Sequence, residues 1–416
     1  MTDISSVAVI GLGYIGLPTA AILAGHGLRV HGVDVNQGTV DAVNAGEVPF
    51  VEPDLDRYVS KAVSEGLLSA SKDTPEADAY IVAVPTPFHA DKSPDLSYIE
   101  AAGRNLAPQL RGSELVILES TSPPGATERM AEVIHEARPD LAEAGTLLFA
   151  HCPERVLPGK VMTELVTNDR IVGGSSPAAA EVAKGLYETF CQGEILLTNL
   201  RTAEMAKLVE NSFRDVNIAF ANELSMICQE LDIDVWELIE LANHHPRVNV
   251  LQPGPGVGGH CIAVDPWFIV DAAPDTARII RSAREINDSK PQWVIDQVKA
   301  KAFDVQQATG RAPVIAALGL AFKPNIDDLR ESPALNIAAE MARQFTGSTI
   351  LAVEPHVEQL PAALSGLEHV ELVAPEAAIE AADIVVLLVD HSAFADLKPL
   401  AEGKYVVDTR GQWREK

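Results

Sequence analysis

Between Val7 and about Thr198 the chain alternates short apolar runs with longer stretches of helical period. The runs VAVIGL, RVHGVD, AYIVAVP, ELVILEST, TLLFAH, RIVGG and EILLT have strand length and are rich in Val, Ile and Leu without polar alternation. Strands of that kind are buried on both faces of a parallel sheet, with helices as crossovers. A doubly wound α/β domain is therefore predicted over 1–200. From Arg201 to Lys301 the strand signal stops, and helical periodicity takes over in AEMAKLVENSFRDVNIAFANELSMICQEL and again in VWELIELAN. Among these helices lies HHPRVNVLQPGPGVGGHCIAVDP, too rich in Pro and Gly for regular structure. A loop of that length inside a compact domain is usually functional. The segment VKAKAFDVQQATGRAP reads as a helix end and a polar linker, after which PVIAALGL, STILAVEP, DIVVLLVD and KYVVDTR restore the α/β pattern. The expected organisation is a first α/β domain at 1–200, a central helical domain at 201–310 that carries the loop, and a second, smaller doubly wound domain at 311–416.

With 32 Lys and Arg against 59 Asp and Glu among 416 residues, the formal net charge is -27. That excess of carboxylates repels nucleic-acid backbones and anionic membranes, so an anionic ligand needs a local cluster of cations. Hydrophobic residues at 47% and charged residues at 22% are ordinary for a globular chain. Cys152, Cys191, Cys228 and Cys261 are scattered without metal-type spacing, which argues against a disulfide framework or a structural metal and suits a reducing compartment. The start MTDISSVAVIGLG lacks a basic region and its apolar run is cut by glycines, so no signal peptide is expected. No apolar run reaches the roughly 18 residues needed to cross a bilayer, and a cytoplasmic location is expected.

The first chemical motif is GLGYIG, where Gly11, Gly13 and Gly16 follow the strand VAVI and precede the helix-like LPTAAILAGHG. Glycines there permit a tight turn and let the backbone approach a pyrophosphate at a helix N-terminus. Asp34 ends the next strand, where a carboxylate takes the ribose hydroxyls, and no Arg or Lys follows in VDVNQG to receive a 2′-phosphate. NAD is therefore the expected cofactor, and the two α/β segments read as Rossmann-like folds joined by the helical domain. Thr86 and Thr121 stand at strand ends that open onto the cofactor crevice; capping of the following helix is an equal reading.

Cys261 follows GVGG and His260. Three glycines in four positions strip side-chain bulk from around one thiol and surround it with backbone N–H groups, as a nucleophile requires. Cys228 in LSMICQEL reads as a core hydrophobe, and Cys191 ends a helix-like stretch. Cys152, before Pro153 and Glu154, is the weaker nucleophile candidate. A metal site from His244, His245, His260, Cys261 and Asp265 is disfavoured because no pair has ligand spacing. Lys207, Asn211 and Arg214 fall at i, i+4 and i+7 on one helix face. A solvated stripe is the plain reading. Asn217 and Asn222, however, extend it into VNIAFANELSMI, which looks too apolar for a surface helix, and a lysine among apolar neighbours shuttles protons readily. Ser332-Pro333 reads as a helix start.

GLGYIGLP, VPTP, STSPPG, CPERVLPG, KLVENSFRD, GPGVGGHCIAVDP and FKPNIDDLRESP together resemble the UDP-glucose/GDP-mannose dehydrogenase family, in the family's order over nearly the whole chain. The resemblance implies an NAD-dependent four-electron oxidation of a nucleotide sugar's C6 alcohol to a carboxylate, with Cys261 carrying thiohemiacetal and thioester intermediates. Lys207 would then move protons and hold the oxyanion with Asn211, Asp265 and Thr121 would place water and base, and Glu154 would activate water for hydrolysis. Cofactor contacts carried over by motif are Gly11, Gly13, Tyr14, Ile15, Gly16, Asp34, Pro85, Thr86, Thr121 and Arg330. Substrate contacts carried over are Arg155, Val156, Lys207, Asn211, Arg214, His245, Arg247, Gly258, Lys323 and Arg410, the last in DTRGQW, an ending that varies among relatives. The stretch from Ala219 to Val270 is most similar to members acting on UDP-N-acetyl-D-mannosamine for bacterial surface polysaccharides. Sister specificities for UDP-N-acetylglucosamine or UDP-glucose, and a catalytically silent nucleotide-sugar sensor, are the alternatives. A homodimer built on the central helices, with Arg247 reaching the neighbouring site, is implied as well.

Overall fold

The computed structural model describes residues 4–157, 159–259 and 262–414. The chain divides into two compact units, Met1–Glu210 with Asp271–Pro274, and Asn211–Val270 with Asp275–Lys416. In the first unit eight strands form one sheet: β1 (Ser6–Ile10), β2 (Arg29–Val33), β3 (Leu68–Ser71), β4 (Ala79–Val82), β5 (Leu115–Leu118), β6 (Leu148–His151), β7 (Arg170–Gly174) and β8 (Ile195–Asn199). Their order is β3-β2-β1-β4-β5-β6-β7-β8. The order reverses between β1 and β4, which places a crevice at the carboxyl ends of those two strands. All pairs are parallel except β6 with β7, which run antiparallel through Ala150–Gly174 and His151–Gly173.

The fold class is α/β, as the apolar runs predicted, with three differences of detail. β3, with sequence LSAS, has too few apolar residues to register as a run, and it pairs at the sheet edge. The sheet is not wholly parallel. β8 is not buried on both faces either, because it closes the other edge and leaves Leu196 and Leu197 exposed.

The second unit begins inside the long helix Leu200–Glu230 and continues through the helices Val235–Asn243, Asp265–Ala272 and Arg278–Thr309. A five-stranded parallel sheet follows, β9 (Val314–Leu318), β10 (Thr349–Val353), β11 (Val370–Leu372), β12 (Ile384–Leu387) and β13 (Tyr405–Asp408), ordered β11-β10-β9-β12-β13. β11 has three residues and left no trace in the apolar pattern. The segment expected as helix end and linker is helical through Thr309, where Gly310 in the left-handed region (φ +73) stops it. Ser332 caps the helix Pro333–Gln344 by accepting from the Leu335 amide, as its Ser-Pro start predicted.

The helix Leu200–Glu230 decides between the solvated and the buried reading of its polar positions. Phe213 (69% exposed), Phe220 (51%) and Ile227 (44%) face outward, while Asn211, Asp215 and Asn222 are buried along with Leu208, Ala219 and Cys228. The polar residues turn inward because Asn222 and Asp215 find partners in Asn287 and Arg284 of the helix Arg278–Thr309, and Asn211 finds one in Asp265.

Candidate functional site

In the first unit the turn after β1 supplies the close backbone approach that the glycine spacing predicted. Gly11 has φ +94, and a Cβ there would stand 2.6 Å from the Ala83 carbonyl oxygen. A Cβ on Gly16 would run into the Gly11 carbonyl, whereas Gly13 faces open space. The helix Gly16–Gly25 starts at Ile15 with no side-chain cap. Its first N–H groups therefore suit an anion held at the turn. Asp34 is fastened on both carboxylate oxygens, accepting from Leu12 N at 2.9 Å and Asn36 N at 2.8 Å, which leaves lone pairs for ribose hydroxyls. Thr86 Oγ1 and Ser122 Oγ, near the ends of β4 and β5, are buried without a hydrogen-bond partner among the described residues. Unpartnered hydroxyls at these strand ends are groups that a polar ligand in the crevice would satisfy. Pro85 is exposed and Thr121 half-buried at the same strand ends. These residues fit a dinucleotide. Tyr14 turns elsewhere: its hydroxyl donates to Glu52 at 2.6 Å and its ring packs 5.0 Å from Phe50.

Within the same sheet lies a charged cluster that local sequence reading missed. Glu119 ends β5 fully buried, accepting from Thr19 Oγ1 at 3.0 Å and Tyr187 OH at 3.1 Å. Burial, and then the nearby Glu154 carboxylate, push its acid up to about 7. Glu154 forms a buried ion pair with Arg170 at 3.0 Å and accepts from the Arg155 amide at 2.6 Å. The Arg170 guanidinium lies over the Tyr187 ring. Cys152 is buried there, and burial pushes its thiol up to about 12, so it is a poor nucleophile, in line with its low ranking from sequence. Arg155 donates to Glu210 at 2.6 Å and to the Asp169 carbonyl, and Val156 packs against the domain core. A carboxyl raised in the fold binds its proton more tightly there than in the unfolded chain, so this contribution to stability falls as pH rises toward and through about 7. Glu119→Gln is expected to melt higher relative to the parent at pH 8 than at pH 5.5; thermal scans at the two pH values check it, and an equal difference at both would refute it.

The second unit holds the Pro- and Gly-rich loop. Two side chains tie it within the described residues before Cys261, and one after. Asn243 exchanges two hydrogen bonds with Val250, through Val250 N at 2.7 Å and Val250 O at 3.0 Å. Asn222 Oδ1 accepts from Gly254 N at 2.9 Å. Beyond the cysteine, Asp265 opens the helix Asp265–Ala272 and its carboxylate accepts from Asn211 Nδ2 at 2.5 Å, both residues buried. The glycines between serve packing: a Cβ on Gly258 would stand 2.7 Å from Pro333 Cδ, and Gly256 faces Pro333 and Pro291. His260 and Cys261 lie outside the described residues. Lys207 precedes Asn211 by one helical turn and is half-buried, with no hydrogen-bond or ion-pair partner among the described residues. Arg214, His245 and Arg247 are exposed, so the predicted stripe of Lys207, Asn211 and Arg214 runs from half-buried through buried to solvent.

In the C-terminal sheet region Lys323 is exposed with its amine 5.1 Å from the Phe322 ring, and Arg330 is exposed and paired with Asp328 at 2.6 Å. Arg410 donates to Asp390 at 2.8 Å and lies against Gly254, where a Cβ would meet its guanidinium at 2.6 Å. Glu354, His356 and His391 gather their ligand atoms within 4.8 Å of one another. His391 has no nitrogen to spare for a metal: Nδ1 accepts from Asn325 N at 3.0 Å and Nε2 faces Glu354 Oε2 at 3.1 Å. Glu354 and His391 instead fasten the loop that carries Lys323 and Arg330, accepting from Leu320 N, Ala321 N and Asn325 N.

A crevice at the switch of strand order, a glycine turn against a helix start and a ribose-directed carboxylate define an NAD-dependent dehydrogenase. The chain belongs to the UDP-glucose/GDP-mannose dehydrogenase family: the family's NAD binding domain matches residues 5–191, its central domain 201–289 and its UDP binding domain 316–415. The chain is 58% identical to an NDP-N-acetyl-D-galactosaminuronic acid dehydrogenase of Ralstonia nicotianae, over 100% of this chain and 97% of that one. It is 57% identical to the UDP-N-acetyl-D-mannosamine dehydrogenase of Escherichia coli, over 99% of each. The solved UDP-N-acetyl-D-mannosamine dehydrogenase of Pyrococcus horikoshii superposes with a TM-score of 0.85 at 37% identity, covering 99% of this chain and 96% of that one. Among the described residues no helix is long and apolar enough to cross a membrane.

Proposed function

We propose that the chain oxidises the C6 alcohol of UDP-N-acetyl-D-mannosamine to the carboxylate, with consumption of two NAD and one water, and so supplies a uronic acid for bacterial surface polysaccharide. The observation that carries this reading is the loop that leads into Cys261, tied at Gly254 on one side and through Asp265 to Asn211 on the other. A binding module has no use for a glycine-flanked cysteine in a loop whose described ends are fastened in this way. Gly11, Gly13, Gly16 and Asp34 would hold NAD, which when bound would supply the hydride acceptor for each oxidation. Lys207 takes the alcohol proton. The Cys261 thiolate adds to the aldehyde carbon as a thiohemiacetal, which the second oxidation turns into a thioester. Lys207 and the Asn211 amide steady the oxyanion of each tetrahedral species, and Asp265 and Thr121 are each assigned by motif to the placing of water and base. Glu154 removes a proton from that water, and the thiolate leaves as the acid forms. Arg155, Arg214, Arg247, Lys323 and Arg410 give the diphosphate a cationic setting in an otherwise acidic protein.

The relative from Ralstonia nicotianae favours a second reading, an N-acetylgalactosamine nucleotide. Both sugars carry a 2-acetamido group, and they differ in ring configuration at C2 and C4. The deciding measurement is NADH formed per sugar consumed, run to completion on UDP-N-acetyl-D-mannosamine, UDP-N-acetyl-D-galactosamine, UDP-N-acetylglucosamine and UDP-glucose. A ratio of about two is expected, with kcat/KM highest by about tenfold or more on the mannosamine nucleotide. A preference for the galactosamine nucleotide replaces the substrate, and a ratio of about one removes the covalent step.

The exposed stripe Phe213, Phe220 and Ile227 has the sevenfold spacing of one helix face, and it supports a homodimer through the helix Leu200–Glu230. Phe220→Asp is expected to convert a dimeric mass to a monomeric one in sedimentation. An unchanged mass would place the interface elsewhere.

A further inference from the structure

We infer that Asn222 is a positioning residue for the thiol chemistry, the end of a buried relay from Asp215 through Asn287 that holds the loop leading into Cys261. The inference rests on the reading of Cys261 as nucleophile. Asp215, Asn222 and Asn287 are 0%, 0% and 1% exposed, and each is joined to the next: Asn222 Nδ2 donates to Asn287 Oδ1 at 2.8 Å, and Asn287 Nδ2 donates to Asp215 Oδ1 at 2.8 Å and to its carbonyl at 3.0 Å. Arg284, itself 1% exposed, donates to the same Asp215 oxygen at 2.5 Å.

The direction of this chain of bonds is dictated at both ends. Gly254 N–H can only donate, so Asn222 must present its oxygen there and its amino group to Asn287. Asn287 then accepts with its oxygen and donates toward a carboxylate that can only accept. No amide in the relay can flip without leaving a buried donor or acceptor unmatched, which costs about 1–3 kcal/mol per group. The relay therefore specifies one position for Gly254, and among the described residues this is the hydrogen bond nearest to Cys261 on its N-terminal side in sequence. Pro291 and Pro333 then press on Gly256 and Gly258, so the fixed point at Gly254 and the packing after it leave the backbone little freedom before the thiol. Asn243, by contrast, ties the loop four residues upstream at Val250.

Asn222→Asp tests this with almost no change of size. The aspartate still accepts from Gly254 but opposes the Asn287 oxygen, and a flip of Asn287 only moves the conflict to Asp215. The measurements are kcat, the KM for sugar and NAD, NAD affinity by fluorescence, and amide exchange of the peptide spanning Val250 to Gly259, all at a temperature where the variant's melting curve shows it folded. The expected result is kcat lower by about tenfold or more, exchange faster by a similar factor, and NAD affinity within about twofold of the parent. Asn222→Ala, whose smaller side chain lets water bridge the gap, is expected to show the same pattern more mildly and serves if the aspartate variant does not fold. A kcat within about twofold of the parent, unchanged exchange, or kcat and NAD affinity falling together would each overturn the inference. Cys261→Ser run in parallel separates the two failures: acid production that survives it defeats the nucleophile, whereas loss in Cys261→Ser with a normal Asn222→Asp defeats only the relay.

Discussion

Cys261→Ser is expected to lose uronic acid formation by about three orders of magnitude or more while NAD and sugar still bind. A free thiol, with a pKa of about 8.5, is a few per cent thiolate at neutral pH and adds to an aldehyde at once, whereas a serine hydroxyl stays protonated without a dedicated base. The serine variant also forms a poorer leaving group, since an alkoxide departs from an ester far less readily than a thiolate from a thioester. Both halves of the covalent sequence fail together, so the loss appears in kcat rather than in affinity. The check is twofold: uronic acid measured by chromatography at completion, and NAD affinity measured by fluorescence in the same preparation. Acid made at the parent's rate would remove the thioester, and loss of NAD affinity would show a folding defect instead.

How much of this was open to sequence reading follows the range of the interactions. The dinucleotide turn is local: Gly11, Gly13 and Gly16 lie in one turn after β1, and Gly16 avoids the Gly11 carbonyl, with Ala83 just past β4 the distant residue that Gly11 and Gly16 both make room for. The Ser332 cap is local too, and the structure has it as expected. Strands with continuous apolar runs could be read one by one, while β3 and β11 are short edge strands whose identity depends on the neighbour they pair with. The charged cluster was out of reach for a similar reason. Glu119, Glu154 and Arg170 come from three separate connections of the sheet, and nothing in EST, PER or DRI announces that they share one buried space. Glu119 stood beside Thr121 at a strand end already singled out, so a carboxylate closing a fully apolar strand is the signal that was available.

The helix Leu200–Glu230 is a different case, in which the polar stripe was visible and its sense, solvated or buried, was left open. Amphipathicity says that two faces differ, but not which one meets the core. Asn222 is joined to Asp215 through Asn287, and Asp215 pairs with Arg284, both contributed by a helix some seventy residues later, and that partnership lets these polar residues face inward. Likewise the buried lysine sought at Lys207 has a counterpart at Lys290, whose amine is driven down to about 7 by burial, bonded to Ser225 and set 3.7 Å from the Trp293 ring.

Lys207→Ala is expected to lower kcat by about two to three orders of magnitude with KM for sugar and NAD changed by no more than a few-fold. Lys207 has no ion-pair partner among the described residues, so its removal leaves no carboxylate stranded and little stability should be lost. Its place one helical turn before Asn211 matters more. Asn211 is already committed to Asp265 through one N–H, which leaves it a single donor for an oxyanion, and the second donor has to come from the lysine. The loss should therefore fall on the steps in which negative charge develops on the C6 oxygen, and binding, which sees a neutral alcohol, should be spared. Lys207→Arg keeps the charge but replaces a compact ammonium by a wide planar fork that cannot give up its proton, so it should not restore turnover. Stopped-flow measurement of the first NADH formed separates the two duties of the amine. A slowed first oxidation marks proton removal from the alcohol, a normal first phase followed by a stalled second marks the oxyanion alone, and an effect confined to KM would make Lys207 a binding residue only.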